Sequence, residues 1–178
     1  MMYLWELTLN VVRIVFLRGS PERIYYTRRL FLVALTIAIA ASAATQVLLF
    51  GDHLTFVVLR VFAELTLFML MMVLLTAKVA RFRLVRMGLA LVLISLFADM
   101  LLTVLSPLFV LQILSAESAR MLAFGVAGIA CYGAANALAW GLQKGVSTGL
   151  AYVALYAVAV QGLDFAFRSL YQMMASAG

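Results

Sequence analysis

Charge is scarce in this chain. Of its 178 residues, 11% are Asp, Glu, Lys or Arg, whereas 67% are hydrophobic. A soluble domain is about a quarter charged and about half apolar, and a chain this short leaves too much surface in water to hide the excess. A soluble fold is therefore excluded, and lipid is the expected solvent. Cysteine and histidine occur once each, as Cys131 and His53. That excludes an intramolecular disulfide and a multi-ligand Cys/His metal site. Cys131 sits mid-span and His53 in a short loop, so a catalytic Cys–His pair is not expected either. With 2 prolines, 11 glycines and no extended polar run, nothing resembles a linker. Residues 1–178 read as a single membrane domain without internal repeats. The opening Met-Met-Tyr-Leu-Trp-Glu has no basic n-region, and a cleavable signal peptide is not expected.

Apolar length is what the chain has in abundance. The hydropathy pattern predicts an all-α protein with transmembrane helices over residues 30–50, 55–77, 87–110, 121–142 and 146–171. Residues 3–18 are too short to span the bilayer. Glu6, Asn10 and Arg13 share one side of that segment, with Leu4, Trp5, Leu9, Val12, Val15 and Phe16 around the rest. They read as an amphipathic helix in the membrane interface, with Trp5 as its anchor. The runner-up is a re-entrant or protein-buried helix, because the apolar face is wide. Gly19 suits a helix stop, Ser20 an N-cap and Pro21 a first helical position. A second helix is expected to start at Pro21 and run without a break into the first span.

The net charge of +6 raises nucleic acid as a partner. The position of the charges points instead to membrane topology, and no nucleic-acid partner is expected. Ten of the 13 basic residues fall on one side: Arg13, Arg18, Arg23, Arg28, Arg29, the loop residues Lys78, Arg81, Arg83 and Arg86, and Lys144. Only Arg60, Arg120 and Arg168 fall on the other. The positive-inside rule then gives a cytoplasmic N-terminus and a C-terminus outside, in the periplasm of a Gram-negative cell. The bilayer itself is the first partner, with anionic lipid a secondary one.

Chemistry inside the spans is confined to a few residues. Arg60 and Glu64 are four apart on one face of the second span, and Asp164 and Arg168 four apart in the fifth. The two spans run in opposite senses. Both arginines therefore lie nearer the outer surface, and the carboxylates about 6 Å deeper at 1.5 Å per residue. Packed side by side, they are expected to cross-pair as Arg60–Asp164 and Glu64–Arg168. Asp99 lies near the bilayer centre, where an aspartate costs about 2.5 to 3.5 kcal/mol on insertion scales. It must be neutralised, paired or turned toward water, and Arg60 is its expected partner. Gln46, Asn136 and Gln161 add polar groups aimed at the same interior. This set reads either as a salt-bridged seam that fixes helix register or as a polar cavity for a proton or small ligand.

The fourth span carries a small residue at every fourth position, namely Ala123, Ala127, Cys131, Ala135 and Ala139. Gly125, Gly128, Gly133 and Gly141 lie beside them. Such a ridge permits close helix approach, within the chain or to another protein or copy. His53 beside Asp52 reads as a surface loop residue, Pro107 as a bend or stop in the third span, and Ser115–Arg120 as a polar loop.

The phosphate loop, the zinc-protease helix, the serine-hydrolase elbow and the dinucleotide fingerprint are all absent. No motif requires a cofactor or a metal. An amphipathic N-terminal helix, then Arg18-Gly19-Ser20-Pro21-Glu22, then five spans resembles the bacterial Yip1-like membrane proteins. That resemblance implies a five-helix membrane fold and no catalytic residues. Its eukaryotic members are tied to vesicle trafficking and membrane shaping, but the long polar N-terminal tail of many of them is not expected here, and trafficking is not carried over. The leading expectation is a non-enzymatic accessory subunit acting through helix–helix partner binding or membrane organisation. A small transporter or proton-linked channel using the intramembrane carboxylates comes second, and an intramembrane lipid-modifying enzyme third.

Overall fold

The computed structural model describes residues 2–15, 19–50, 54–110 and 115–176. Among them are six α-helices and no strand. A short helix α1 (Met2–Val15) is followed by a single 3-10 turn (Pro21–Arg23) and then by α2 (Arg28–Phe50), α3 (Leu54–Thr76), α4 (Arg81–Val110), α5 (Ala116–Leu142) and α6 (Val146–Ser176). Helices α2 to α6 are each long and apolar enough to cross a membrane. The chain is a multi-pass helical membrane protein.

The five long helices pack in the cyclic order α2–α4–α5–α6–α3 and back to α2. The seams α2·α4, α4·α5 and α5·α6 are extensive. Helix α3 meets α2, α6 and α4 over much shorter stretches, so it forms the thin wall of the ring. One end of the ring carries the start of α2 with Arg28 and Arg29, the α3–α4 turn and the α5–α6 turn. This basic end also holds Lys78, Arg81, Arg83, Arg86 and Lys144.

Small residues set the close seams. A Cβ on Gly149 of α6 would fall against the Ala135 carbonyl of α5, and one on Gly141 of α5 against the Met87 sulfur of α4. The α2–α4 seam has a polar clasp instead. The Thr45 and Thr103 hydroxyls lie 3.1 Å apart, and each sits over a carbonyl one turn back in its own helix, Ala41 at 2.9 Å and Asp99 at 2.8 Å. Those local acceptors leave neither hydroxyl unpartnered in an apolar surround.

Helix α1 departs from the interfacial reading. Its Val11, Ile14 and Val15 are buried in the core formed with Ala34 and Ala38 of α2, Leu89 to Ile94 of α4 and Ala137 of α5. The backbone of Val15 comes within 3.0 Å of where a Cβ on Gly133 would stand. Asn136 Nδ2 donates to the Ile14 carbonyl at 3.0 Å and to the Gly19 carbonyl at 3.4 Å. The apolar face of α1 is thus satisfied by protein, as in the runner-up reading, while Trp5 is left exposed. Asn136 serves this clasp and not the polar interior to which its sequence position had assigned it.

Helix starts also differ from the sequence reading. The turn at Pro21 does not continue into α2, because the chain is extended at Ile24, whose side chain is buried in the core. Thr27 Oγ1 then accepts from the Leu30 amide at 3.0 Å and caps α2. Arg81, Arg83 and Arg86 belong to the first turns of α4, not to a loop. The Ser115–Arg120 stretch is likewise the start of α5, with Ser115 Oγ accepting from the Ser118 amide at 3.2 Å. Charge and polarity marked these segments as loops, yet helices end in the polar head-group layer, where such side chains are solvated. Pro107 lies within the final turn of α4. Phe16, Arg18, Asp52 and His53 lie outside the described residues.

Candidate functional site

A cavity of about 410 Å³, open at one side, is lined by all five long helices. Most of the lining is apolar, with Leu35, Ile39, Phe68, Met71, Leu91, Leu138 and Val153 among it. Polar groups come from every helix: Ser42 on α2, Glu64 on α3, Ser95 and Asp99 on α4, Cys131 on α5, and Tyr156 and Gln161 on α6. At 1.5 Å per residue Glu64 lies about 15 Å from the start of α3, and Asp99 about 16 Å from the end of α4. Two carboxylates therefore reach the cavity near mid-membrane from two different helices.

The sequence-predicted charges form a chain of contacts rather than two crossed pairs. Arg60 Nε donates to Glu64 Oε1 at 3.0 Å within α3. Arg60 Nη1 lies 3.3 Å from Asp164 Oδ1 across the α3–α6 seam. Arg168 Nε donates to Asp164 Oδ2 at 3.1 Å within α6, and its guanidinium stands over the Phe56 ring at 5.0 Å. The Arg60–Asp164 cross-pair is the expected one. The Glu64–Arg168 pair is not among the described ion pairs, since four-residue spacing lets each arginine find a carboxylate on its own helix first. The Arg60–Asp164 contact is an ion pair without hydrogen-bond alignment, for Asp164 Oδ1 accepts no hydrogen bond.

Asp99 departs from expectation as well. Arg60 is engaged by Glu64 and Asp164, and no described ion pair joins it to Asp99. Ser95, one turn earlier on the same helix, lines the same cavity. Across the cluster, two arginines meet three carboxylates, and the carboxylate left over, Asp99, is one of the two that line the cavity. Gln161 lines the cavity as expected. Gln46 does not; it is buried beside Thr45, and its Oε1 has no partner.

Tyr156 was missed by the sequence reading. Its hydroxyl donates to the Glu64 main-chain carbonyl at 3.4 Å, a second tie between α6 and α3 besides the Arg60–Asp164 pair. A tyrosine in mid-span, eight residues before Asp164, was the available signal, because a buried phenol needs a polar partner.

The small-residue ridge of α5 divides into two parts. Ala135 and Ala139 are buried, where α5 meets its neighbours near the basic end. Cys131 faces the cavity. Ala127 is exposed and Ala123 half-buried, and a Cβ on Gly125 or Gly128 would meet nothing within 4 Å. No family model, curated protein or solved structure matches this chain.

Proposed function

We propose that this chain is a non-enzymatic membrane carrier for a small, largely apolar molecule, held in the cavity inside its helical ring. The observation that carries the reading is the cavity itself, at which all five long helices meet. About 410 Å³ of space is a ligand-sized volume, and the carboxylates of Glu64 and Asp99 reach its wall instead of being sealed in a packed seam. The thin α3 wall supports a carrier further, since a helix held by short seams is the one that moves most cheaply. A chemical role is disfavoured because the one histidine and the two lysines, His53, Lys78 and Lys144, lie outside the spans. Ser42 and Ser95 at the cavity then have no such base.

The proposal includes the inner membrane, with the basic end toward the cytoplasm, on the strength of the Lys/Arg asymmetry. It also keeps the Yip1-like kinship, on layout and the Pro21 turn alone. A second reading, an accessory subunit, rests on the open half of α5, where Gly125 and Gly128 meet nothing and Phe124 is 77% exposed.

The test is titration of purified protein with the neutral fluorophore 1-N-phenylnaphthylamine. Saturable binding near one probe per chain is expected. Ala134→Phe, or Ala157→Phe on the adjacent helix α6, is expected to reduce it at least about tenfold while the protein keeps its melting temperature, because a ring then fills the cavity. Absence of saturable binding, together with a stoichiometric partner in gently solubilised preparations, would favour the subunit reading and overturn the carrier.

A further inference from the structure

Resting on the cavity reading, we propose that the ligand is a lipophilic organic cation, drawn by the carboxylates of Glu64 and Asp99 and seated against Phe68 and Tyr156. Four observations converge on this charge. The described lining contains two carboxylates and no basic side chain. The nearest arginine, Arg60, stands behind Glu64 and is already shared between Glu64 and Asp164 at 3.0 and 3.3 Å. Asp99 has no described cationic partner, so the cluster carries one carboxylate in excess. The remaining wall is mostly apolar, with Phe68 and Tyr156 as its aromatic side chains, and aromatic faces attract cations as carboxylates do.

In low dielectric the sign of a ligand's charge dominates its fit. A unit charge a few ångströms from Asp99 gains or loses far more there than in water. An anionic amphiphile, such as a fatty acid or a phospholipid head group, would meet the like charge of Asp99 while the nearest cation, Arg60, is already engaged by Glu64 and Asp164. A delocalised cation with an apolar shell loses little hydration on entry and supplies the missing positive charge. Asp99 is the discriminating contact, since Glu64 is held by Arg60.

The experiment compares two ions of the same shape and opposite charge, tetraphenylphosphonium and tetraphenylborate, titrated into purified protein against a matched micelle blank. Tetraphenylphosphonium is expected to bind saturably and at least about tenfold more tightly than tetraphenylborate. Asp99→Asn is expected to remove that preference. Asp99→Glu, which retains the carboxylate, is expected to keep it, and this separates loss of charge from loss of folding. Equal binding of the two ions, or a preference that survives in Asp99→Asn, overturns the assignment of charge while leaving the cavity as a ligand site. If neither ion binds but phenylnaphthylamine does, the assignment also fails. If none of the three probes binds, the carrier reading fails with it.

Discussion

Replacing Arg60 with methionine is expected to destabilise the protein more than any other single side-chain truncation in the spans. Among the described ion pairs, Arg60 alone joins both Glu64 and Asp164, at 3.0 and 3.3 Å. The side chains are 20%, 26% and 17% exposed for Arg60, Glu64 and Asp164, and in the bilayer much of that remainder faces hydrocarbon or the cavity. Removing the cation leaves two carboxylates near one another with Arg168 alone to balance them. Breaking a buried pair in this way costs about 3 to 5 kcal/mol. For a chain of this size that corresponds to a loss of about 10 °C in melting temperature in detergent. The penalty belongs to the stranded charges and not to the lost side-chain volume, so Arg60→Met combined with Glu64→Gln and Asp164→Asn should recover most of it. A single variant as stable as the parent would show that the cluster contributes no structural free energy.

Gly149→Val is expected to have the next largest effect. Its Cβ would meet the Ala135 carbonyl, which is main chain and has no rotamer by which to withdraw. The three-residue turn between α5 and α6 keeps the two helices together at that end, so relief requires one helix to tilt away from the other. Overpacking typically costs about 1 to 3 kcal/mol, and a main-chain obstacle puts this site at the upper end. Gly162 of the same helix is the internal control. A Cβ there meets nothing within 4 Å, and Gly162→Ala should be neutral or stabilising by up to about 1 kcal/mol through helix propensity. Thermal denaturation of the two variants side by side reads the difference. Equal stability would mean that α5 and α6 are not in the close contact described.

The spans were legible in the sequence because lipid imposes one requirement, about 20 apolar residues per crossing, that hydropathy measures directly. Helix starts were less so. Arg81 to Arg86 and Ser115 to Arg120 look like loops by polarity, yet α4 and α5 begin at Arg81 and Ala116. The Arg60–Asp164 pair was legible because antiparallel spans place residues of known depth opposite one another. Its companion Glu64–Arg168 was not, because depth does not decide between a partner four residues away and one on another helix. The role of α1 was ambiguous for a related reason. Its apolar face is suited to lipid or to protein, and the residues that decide, Gly133 and Asn136, lie more than 100 positions further along the chain. Which of Ser95, Cys131 and Tyr156 turn inward depends on the rotation of each helix about its axis. In spans that are apolar nearly all round, no periodicity records that rotation.

Whether water and small solutes enter the ring is tested most directly by the native thiol. Cys131 lines the cavity and is exposed, and a thiol reacts with N-ethylmaleimide through its thiolate, which forms readily only where water reaches it. The reference is a thiol introduced by Ile129→Cys in a Cys131→Ser background, since Ile129 lies on roughly the opposite side of the same helix, is exposed and does not line the cavity. In intact membranes, Cys131 is expected to be labelled faster than this reference and to be protected by phenylnaphthylamine. Labelling no faster than the reference, and unaffected by the probe, would contradict a ligand-accessible space inside the ring.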